Sequence, residues 1–154
     1  MIQLYGEYDG TVDSKGRMKM PAALLKQLAG TGPYKFFVNR GFEQCLMLYP
    51  EKVWEEKIEE VNKLNIYKTQ EREFVRYFYR GVRDVLTDSV DRLLLPKSML
   101  DHAGIKKDVI IFAYMNNIEL WDRDRYLSTL SKEPSDYSRL ADQVWGGEAD
   151  SDKP

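Results

Sequence analysis

Histidine and cysteine are nearly absent from this 154-residue chain, which carries one of each, and each scarcity removes a class of chemistry. With Cys45 alone no disulfide can staple the fold, and its place in the apolar run 45–48 suits a small buried side chain in a reducing compartment better than a nucleophile. His102 has Asp101 beside it but no spaced cysteine or second histidine to complete a metal site, so it reads as a surface histidine. Glycine-rich phosphate loops are missing, since neither G-x-G-x-x-G nor G-x-x-x-x-G-K-[ST] occurs. No apolar run approaches the roughly 18 residues of a membrane span, and residues 1–6 lack the basic and apolar regions of a signal peptide. A soluble, cytoplasmic chain is expected. Carboxylates are plentiful, but most fall in charge runs such as Glu55-Glu56-Lys57 and Glu59-Glu60, which form solvated helix faces. No catalytic residue, cofactor or metal is expected, and the enzyme class is set aside.

Excess charge of one sign is also missing, with 23 basic against 25 acidic residues. Its distribution is uneven. From Gly10 to Gly41 six basic residues, Lys15, Arg17, Lys19, Lys26, Lys35 and Arg40, face the single acid Asp13. From Arg80 to Lys107 six basic residues, Arg80, Arg83, Arg92, Lys97, Lys106 and Lys107, face the four acids Asp84, Asp88, Asp91 and Asp101. A basic stripe on a nearly neutral molecule can still steer a polyanion, because screening confines the field to about 8 to 10 Å.

What the chain does have is an internal repeat. Asp13-Ser14-Lys15-Gly16-Arg17-Met18-Lys19-Met20-Pro21 returns 75 positions later as Asp88-Ser89-Val90-Asp91-Arg92-Leu93-Leu94-Leu95-Pro96. The match continues from Leu25 to Leu100, and from Leu46–Tyr49 to Ile118–Trp121 at an offset of 72, which implies one three-residue length difference inside the unit. Solenoid periods run at roughly 20 to 50 residues, so this longer period indicates a duplicated half-domain related by a pseudo-twofold.

Each copy has the same predicted order. Alternation in Arg17–Met20 marks a half-buried strand, and Ser14-Lys15-Gly16 is a turn that would join it to Tyr8–Asp13 as a hairpin. In that turn Gly16 supplies positive φ, while the Asp13 carboxylate accepts backbone amides. Pro21 and Pro96 open short helices that run to about Ala29 and Ala103 and stop at Gly30 and Gly104. Two apolar strands follow in each copy, Tyr34–Val38 with Cys45–Tyr49, and Val109–Ala113 with Ile118–Trp121. Neither copy can hide such strands alone, so the two should interlock in one core. Between them, Trp54, Ile58, Val61 and Leu64, then Phe74, Val75, Phe78 and Tyr79, give an αα-hairpin whose aromatic face could also meet another subunit. Near the end, Tyr137, Leu140, Ala141 and Val144 could make one amphipathic helix before an acidic, disordered 146–154. The organisation expected is a first unit at 1–50, a helical connector at 51–81, a second unit at 82–130 and a tail at 131–154.

The recurring Asp-x-x-x-Arg loop is the candidate site. Arginine offers a planar fork of donors suited to phosphate or to the O6/N7 edge of guanine, and a tight turn mounts it on a fixed base. Arg17, with Lys15 across the turn and Lys19 on the same strand face, forms the best cluster, and a two-stranded ribbon is narrow enough to enter a major groove. Asp13 has no attraction for DNA phosphate and would act as a buttress, as would Gly16 and, in the second copy, Asp88.

These residues resemble the MraZ family over about residues 1–130. The resemblance rests on Asp13-Ser14-Lys15-Gly16-Arg17 followed by apolar-x-apolar-Pro, on Arg40-Gly41, on Leu48-Tyr49-Pro50 with Trp54, and on Glu119-Leu120-Trp121-Asp122. It implies an α+β, mainly β fold of two tandem swapped-hairpin AbrB-like units in one pseudo-twofold barrel. It further implies a ring-shaped homo-oligomer, nucleoid association, and repression of the division and cell-wall gene cluster, its own gene included, through short direct repeats of double-stranded DNA. DNA contacts are carried onto Lys15, Arg17, Lys19 and Arg92. In the second loop Asp91 stands where the family has glycine, adding a charge that opposes phosphate, and Leu94 stands where the first copy has Lys19. A contrasting reading is an oligomeric protein-interaction scaffold that uses the aromatic connector and the tail.

Overall fold

In the computed structural model of the chain, residues 2–130 and 133–146 are described. Two compact units divide it after Arg123. The first holds eight antiparallel strands: β1 (Gly6–Thr11), β2 (Arg17–Lys19), β3 (Lys35–Arg40), β4 (Leu46–Pro50), β5 (Arg83–Leu86), β6 (Arg92–Leu94), β7 (Asp108–Tyr114) and β8 (Asn117–Asp122). Its helices are α1 (Ala22–Leu25), α2 (Glu51–Asn62), α3 (Thr69–Tyr79) and α4 (Lys97–Ala103). The fold is β-rich α+β, as expected.

Strand order states the duplication in three dimensions. Six strands form one sheet in the order β1-β7-β8-β4-β3-β5, and β2 pairs with β6 in a separate ribbon. Exchanging each strand for its repeat, β1 for β5, β2 for β6, β3 for β7 and β4 for β8, returns both orders reversed. A pseudo-twofold therefore runs between β4 and β8 and between β2 and β6. Bonds at the loops join sheet to ribbon: Val12 bridges Met18, and the amides of Asp13 and Asp88 donate to the carbonyls of Arg17 and Arg92 at 2.9 Å. The eight strands thus close on themselves.

The expected hairpin of Tyr8–Asp13 with Arg17–Met20 is not the dominant pairing. β1 pairs along its whole length with β7, from Gly6 opposite Ala113 to Thr11 opposite Asp108, and β2 pairs with β6. β3 with β4 and β7 with β8 pair within a repeat, but β1 and β2 find their partners in the other repeat, because a unit exposing runs such as Val109–Ile111 buries them only by exchange. The repeat register is also finer than a single three-residue step. Phe36 faces Val85 while Val109 faces Gly10, an offset of 73 for β3 and β7, and β4 and β8 stand at 72. Two residues of the difference precede β3 and one lies in the following turn.

Both prolines stand just before their helices, Pro21 at the N-cap of α1 and Pro96 at that of α4. α4 ends on Gly104 in the left-handed region at φ 68°, whereas α1 stops at Leu25, short of Ala29, and tightens into i,i+3 turns at Gln27 and Leu28. There the Gln27 amide bonds both backbone groups of Tyr5, at 2.9 and 3.0 Å. The αα-hairpin is present as α2 and α3. It is sewn to the sheet by Trp54, which lies between Phe37 at 5.1 Å and Phe78 at 5.0 Å, both nearly parallel to it.

The second unit carries all of α5 (Arg123–Thr129) but its first residue, α6 (Pro134–Ala141) and a π-helical turn at Asp142–Gly146. The predicted C-terminal helix is thus present, opened by Pro134 and a Glu133/Asp136 capping box, and Val144 lies in the π turn. Of the disorder expected over 146–154, Gly146 instead closes the π turn, and 147–154 fall outside the described residues.

The core centres on the pseudo-axis, where Met18 and Leu93 face each other across the ribbon with no exposed surface. Met18→Ala and Leu93→Ala are each expected to lower unfolding stability by about 2 to 5 kcal/mol. Lys19→Ala, exposed on the same strand, should stay within about 0.5 kcal/mol. Urea unfolding checks this, and a loss under about 1 kcal/mol at both core positions would contradict the burial.

Candidate nucleic-acid interface

The two loops are superposable in their bonding. Asp13 Oδ1 accepts the backbone amides of Lys15 and Arg17, both at 2.9 Å, and Oδ2 accepts Arg17 Nε at 2.7 Å. Asp88 does the same for Val90, Arg92 and Arg92 Nε, at 3.0, 2.9 and 2.8 Å. One carboxylate thereby shapes the turn and fixes the arginine that follows it. The guanidinium keeps both Nη atoms outside that contact, and the Arg17 and Arg92 side chains retain 34% and 35% of their exposure.

The turn needs a left-handed residue before the arginine. Gly16 takes it at φ 87°, and a Cβ there would stand 3.0 Å from the Leu95 carbonyl oxygen. Asp91 takes it at φ 63°, so the substitution that departs from the family pattern preserves the turn. Each of these residues also ties the loops together. The carbonyl of Gly16 accepts Leu95 N–H at 2.9 Å, and that of Asp91 accepts Met20 N–H at 2.8 Å.

On the ribbon, Arg17 stands opposite Leu94 and Lys19 opposite Arg92. Strand alternation turns Met18 and Leu93 inward and leaves Arg17, Lys19, Arg92 and Leu94 on the outer face, with Lys15 exposed at the loop tip. The four sequence-identified cations are therefore brought to one surface, with Asp13 and Asp88 exposed beside their arginines and Gly16 buried in the turn. Sequence reasoning missed two further cations beside that surface. Arg83 on β5 and Lys97 at the start of α4 line an open groove with Lys15 and Leu94. Their only sequence signal is membership of the basic tally of the second copy, which carries no position in space.

The other singled-out groups lie elsewhere. Cys45 is buried, and that burial, with Glu119 and Glu43 nearby, pushes its thiol up to about 12, so it is protonated at neutral pH. His102 is half-buried rather than on the surface, with an unpartnered Nε2; burial, then Arg40 and Arg80, lowers its pKa. Among the described residues no group of histidines, cysteines and carboxylates could hold a metal, and no helix is long and apolar enough to cross a membrane.

The Arg17 amide, more than its guanidinium, holds the Asp13 carboxyl below the ordinary carboxylate range, and the Lys15 amide adds to the effect. Because the folded carboxyl titrates below its unfolded value of about 3.9, its stabilisation is complete above that pH and is lost as pH falls through the folded pKa. A carbon-13 NMR titration is expected to place the Asp13 midpoint below about 3.9. Arg17→Ala should raise that midpoint only part of the way, since the backbone bond survives. A full return to the ordinary value would contradict the backbone-dominated clamp.

Comparison with known proteins agrees with the repeat and with the loops. The model of the MraZ protein family matches twice, at residues 4–77 and 78–143. Among curated relatives, the protein named Transcriptional regulator MraZ from Christiangramia forsetii is 40% identical over 149 residues, covering 96% of each chain. Its namesake from Flavobacterium psychrophilum is 39% identical over 147 residues, 95% of this chain and 94% of the relative. That from Cytophaga hutchinsonii is 37% identical over 138 residues, 90% and 91% respectively. With both repeats matched and the likeness spanning nearly the whole chain, the protein belongs to the MraZ family.

Proposed function

We propose that this chain is a transcriptional regulator that binds double-stranded DNA through the outer face of the β2/β6 ribbon. The observation that carries the reading is the clamped arginine pair: Arg17 and Arg92, each held at Nε by its own aspartate, share one face with Lys19 while the opposite face is fully buried. A ribbon so anchored can enter a major groove without ordering a loop first, which reduces the entropic cost of binding. Arg17 supplies a fork for guanine or phosphate, and Lys15 and Lys19 supply point charges for phosphate. Arg92 is the weaker contact, because Asp91 adds a negative charge beside it.

Each ribbon offers few cations, so affinity must come from multiplicity. A ring of protomers on successive direct repeats raises effective concentration without adding contacts to any one ribbon. The resemblance assigns those repeats to the region upstream of the division and cell-wall gene cluster, where binding represses the cluster and the chain's own gene. Cytoplasmic, nucleoid-associated residence follows from that role, and no catalytic activity or cofactor is part of it. The scaffold alternative keeps only part of the connector, since Phe78 is buried against Trp54 while Phe74, Tyr77 and Tyr79 stay exposed.

Arg17→Ala is expected to weaken binding to the upstream duplex at least about tenfold while leaving the gel-filtration volume unchanged. Gel shifts at matched salt measure this. Equal affinity of variant and wild type would refute the proposal.

A further inference from the structure

The backbone of the molecule obeys a pseudo-twofold, but its charge does not. On one side of the ribbon the open groove is lined by Lys15, Arg83 and Lys97, with Asp84 as its acid and Leu86 and Leu94 between them. Lys35 lies 3.9 Å from the Asp84 carboxylate and offsets part of its charge. Lys15, Arg83 and Lys97 are all exposed. At the repeat offset of 75 the three cations become Val90, Tyr8 and Ala22, and Asp84 becomes Asp9. Lys19, in the place of Leu94, adds a cation on that side, where Arg123 also stands with Asp9 and Asp108 around an open pocket. At the groove positions themselves, three cations and one acid thus answer to one cation and one acid.

We propose that this groove is a phosphate track: Arg83 and Lys97, with Lys15, hold the sugar-phosphate backbone of one DNA strand on the first-loop side only. The inference rests on the DNA-binding reading of the ribbon and extends it. Continuity favours duplex DNA as the occupant, because Leu94 belongs both to the groove wall and to the outer ribbon face, opposite Arg17. A backbone leaving the ribbon face at Arg17 therefore passes directly into the groove. Exposed Leu86 and Leu94 give deoxyribose an apolar wall, and the cations along it give phosphate its counter-charge.

A ribbon gripped from one side has a direction, so each protomer meets its site in one orientation. The asymmetry resides in side chains at Lys15, Arg83 and Lys97, not in the strand order.

The test compares wild type, the double variant Arg83→Gln/Lys97→Gln, and Lys52→Gln/Lys63→Gln, which removes the same charge from exposed positions on α2 and at its C-cap. Binding to the upstream duplex and to a scrambled duplex is followed by fluorescence anisotropy as salt is varied. Each phosphate contact contributes about 0.9 to the slope of log K against log [salt], so the groove variant should lose about 1.8 on both duplexes. Its preference for the upstream duplex should stay within about twofold, because phosphate contacts carry no direct sequence information. The α2 variant should keep the wild-type slope. An unchanged slope in the groove variant, or an equal fall in the α2 variant, overturns the phosphate track while leaving the Arg17 reading intact. Wild-type protein without salt-dependent DNA binding overturns both.

Discussion

The pairing of β2 with β6 is the constraint on which the rest of the molecule depends. Three residues from each repeat, Arg17–Lys19 and Arg92–Leu94, form a ribbon astride the pseudo-axis, and neither half has another antiparallel partner of that length for them. The ribbon drives Met18 and Leu93 into the core, closes the six-stranded sheet at both of its edges, and leaves a charged outer face. The crossed bonds from Leu95 to Gly16 and from Met20 to Asp91 lock the two loops in one relative position. Fold and candidate site are consequently the same few residues seen from opposite sides.

An acid in each loop of a surface proposed to meet a polyanion is explained by what it bonds. Asp13 and Asp88 each accept two backbone amides and one arginine Nε, so their charge is consumed in shaping the turn and aiming the guanidinium. The same bonds depress both carboxyl pKa values, with the arginine amide as the largest cause in each. The clamp stays ionised at neutral pH. Asp91 is different, since it supplies a backbone shape and leaves its charge uncompensated by that geometry.

The repeat, the loops and the αα-hairpin were legible in the sequence because each depends on neighbours along the chain. Asp13 reaches only to Arg17, α2 and α3 carry their own apolar spacing, and Gly104 ends α4 through its own φ. Strand exchange was not legible at the level of partners. A period-2 pattern says that Arg17–Met20 is half-buried but not that its partner lies 75 residues away, and so β1 was expected beside β2. The early stop of α1 depends on Gln27 turning toward Tyr5, a contact over 22 residues that propensity does not encode. Arg83 and Lys97 were visible only as charges in a sum, because the groove that gathers them with Lys15 exists only after β5 docks beside the ribbon. Asp91 keeps the turn that the family makes with glycine, because Asp tolerates the left-handed region and the crossed bond from Met20 and the Asp88 contacts hold it there.

The central claim is that DNA meets a ribbon already shaped by its own carboxylates. Nitrogen-15 spectra of the arginine side chains, recorded as duplex from the upstream region is added, test it most directly. The account predicts that the Arg17 Nε resonance and the Lys15 amide stay near their free positions, still bonded to Asp13, while the Arg17 Nη groups and the Lys15 Nζ shift. Shifts concentrated on α2 and α3, with the ribbon resonances unmoved, would contradict it.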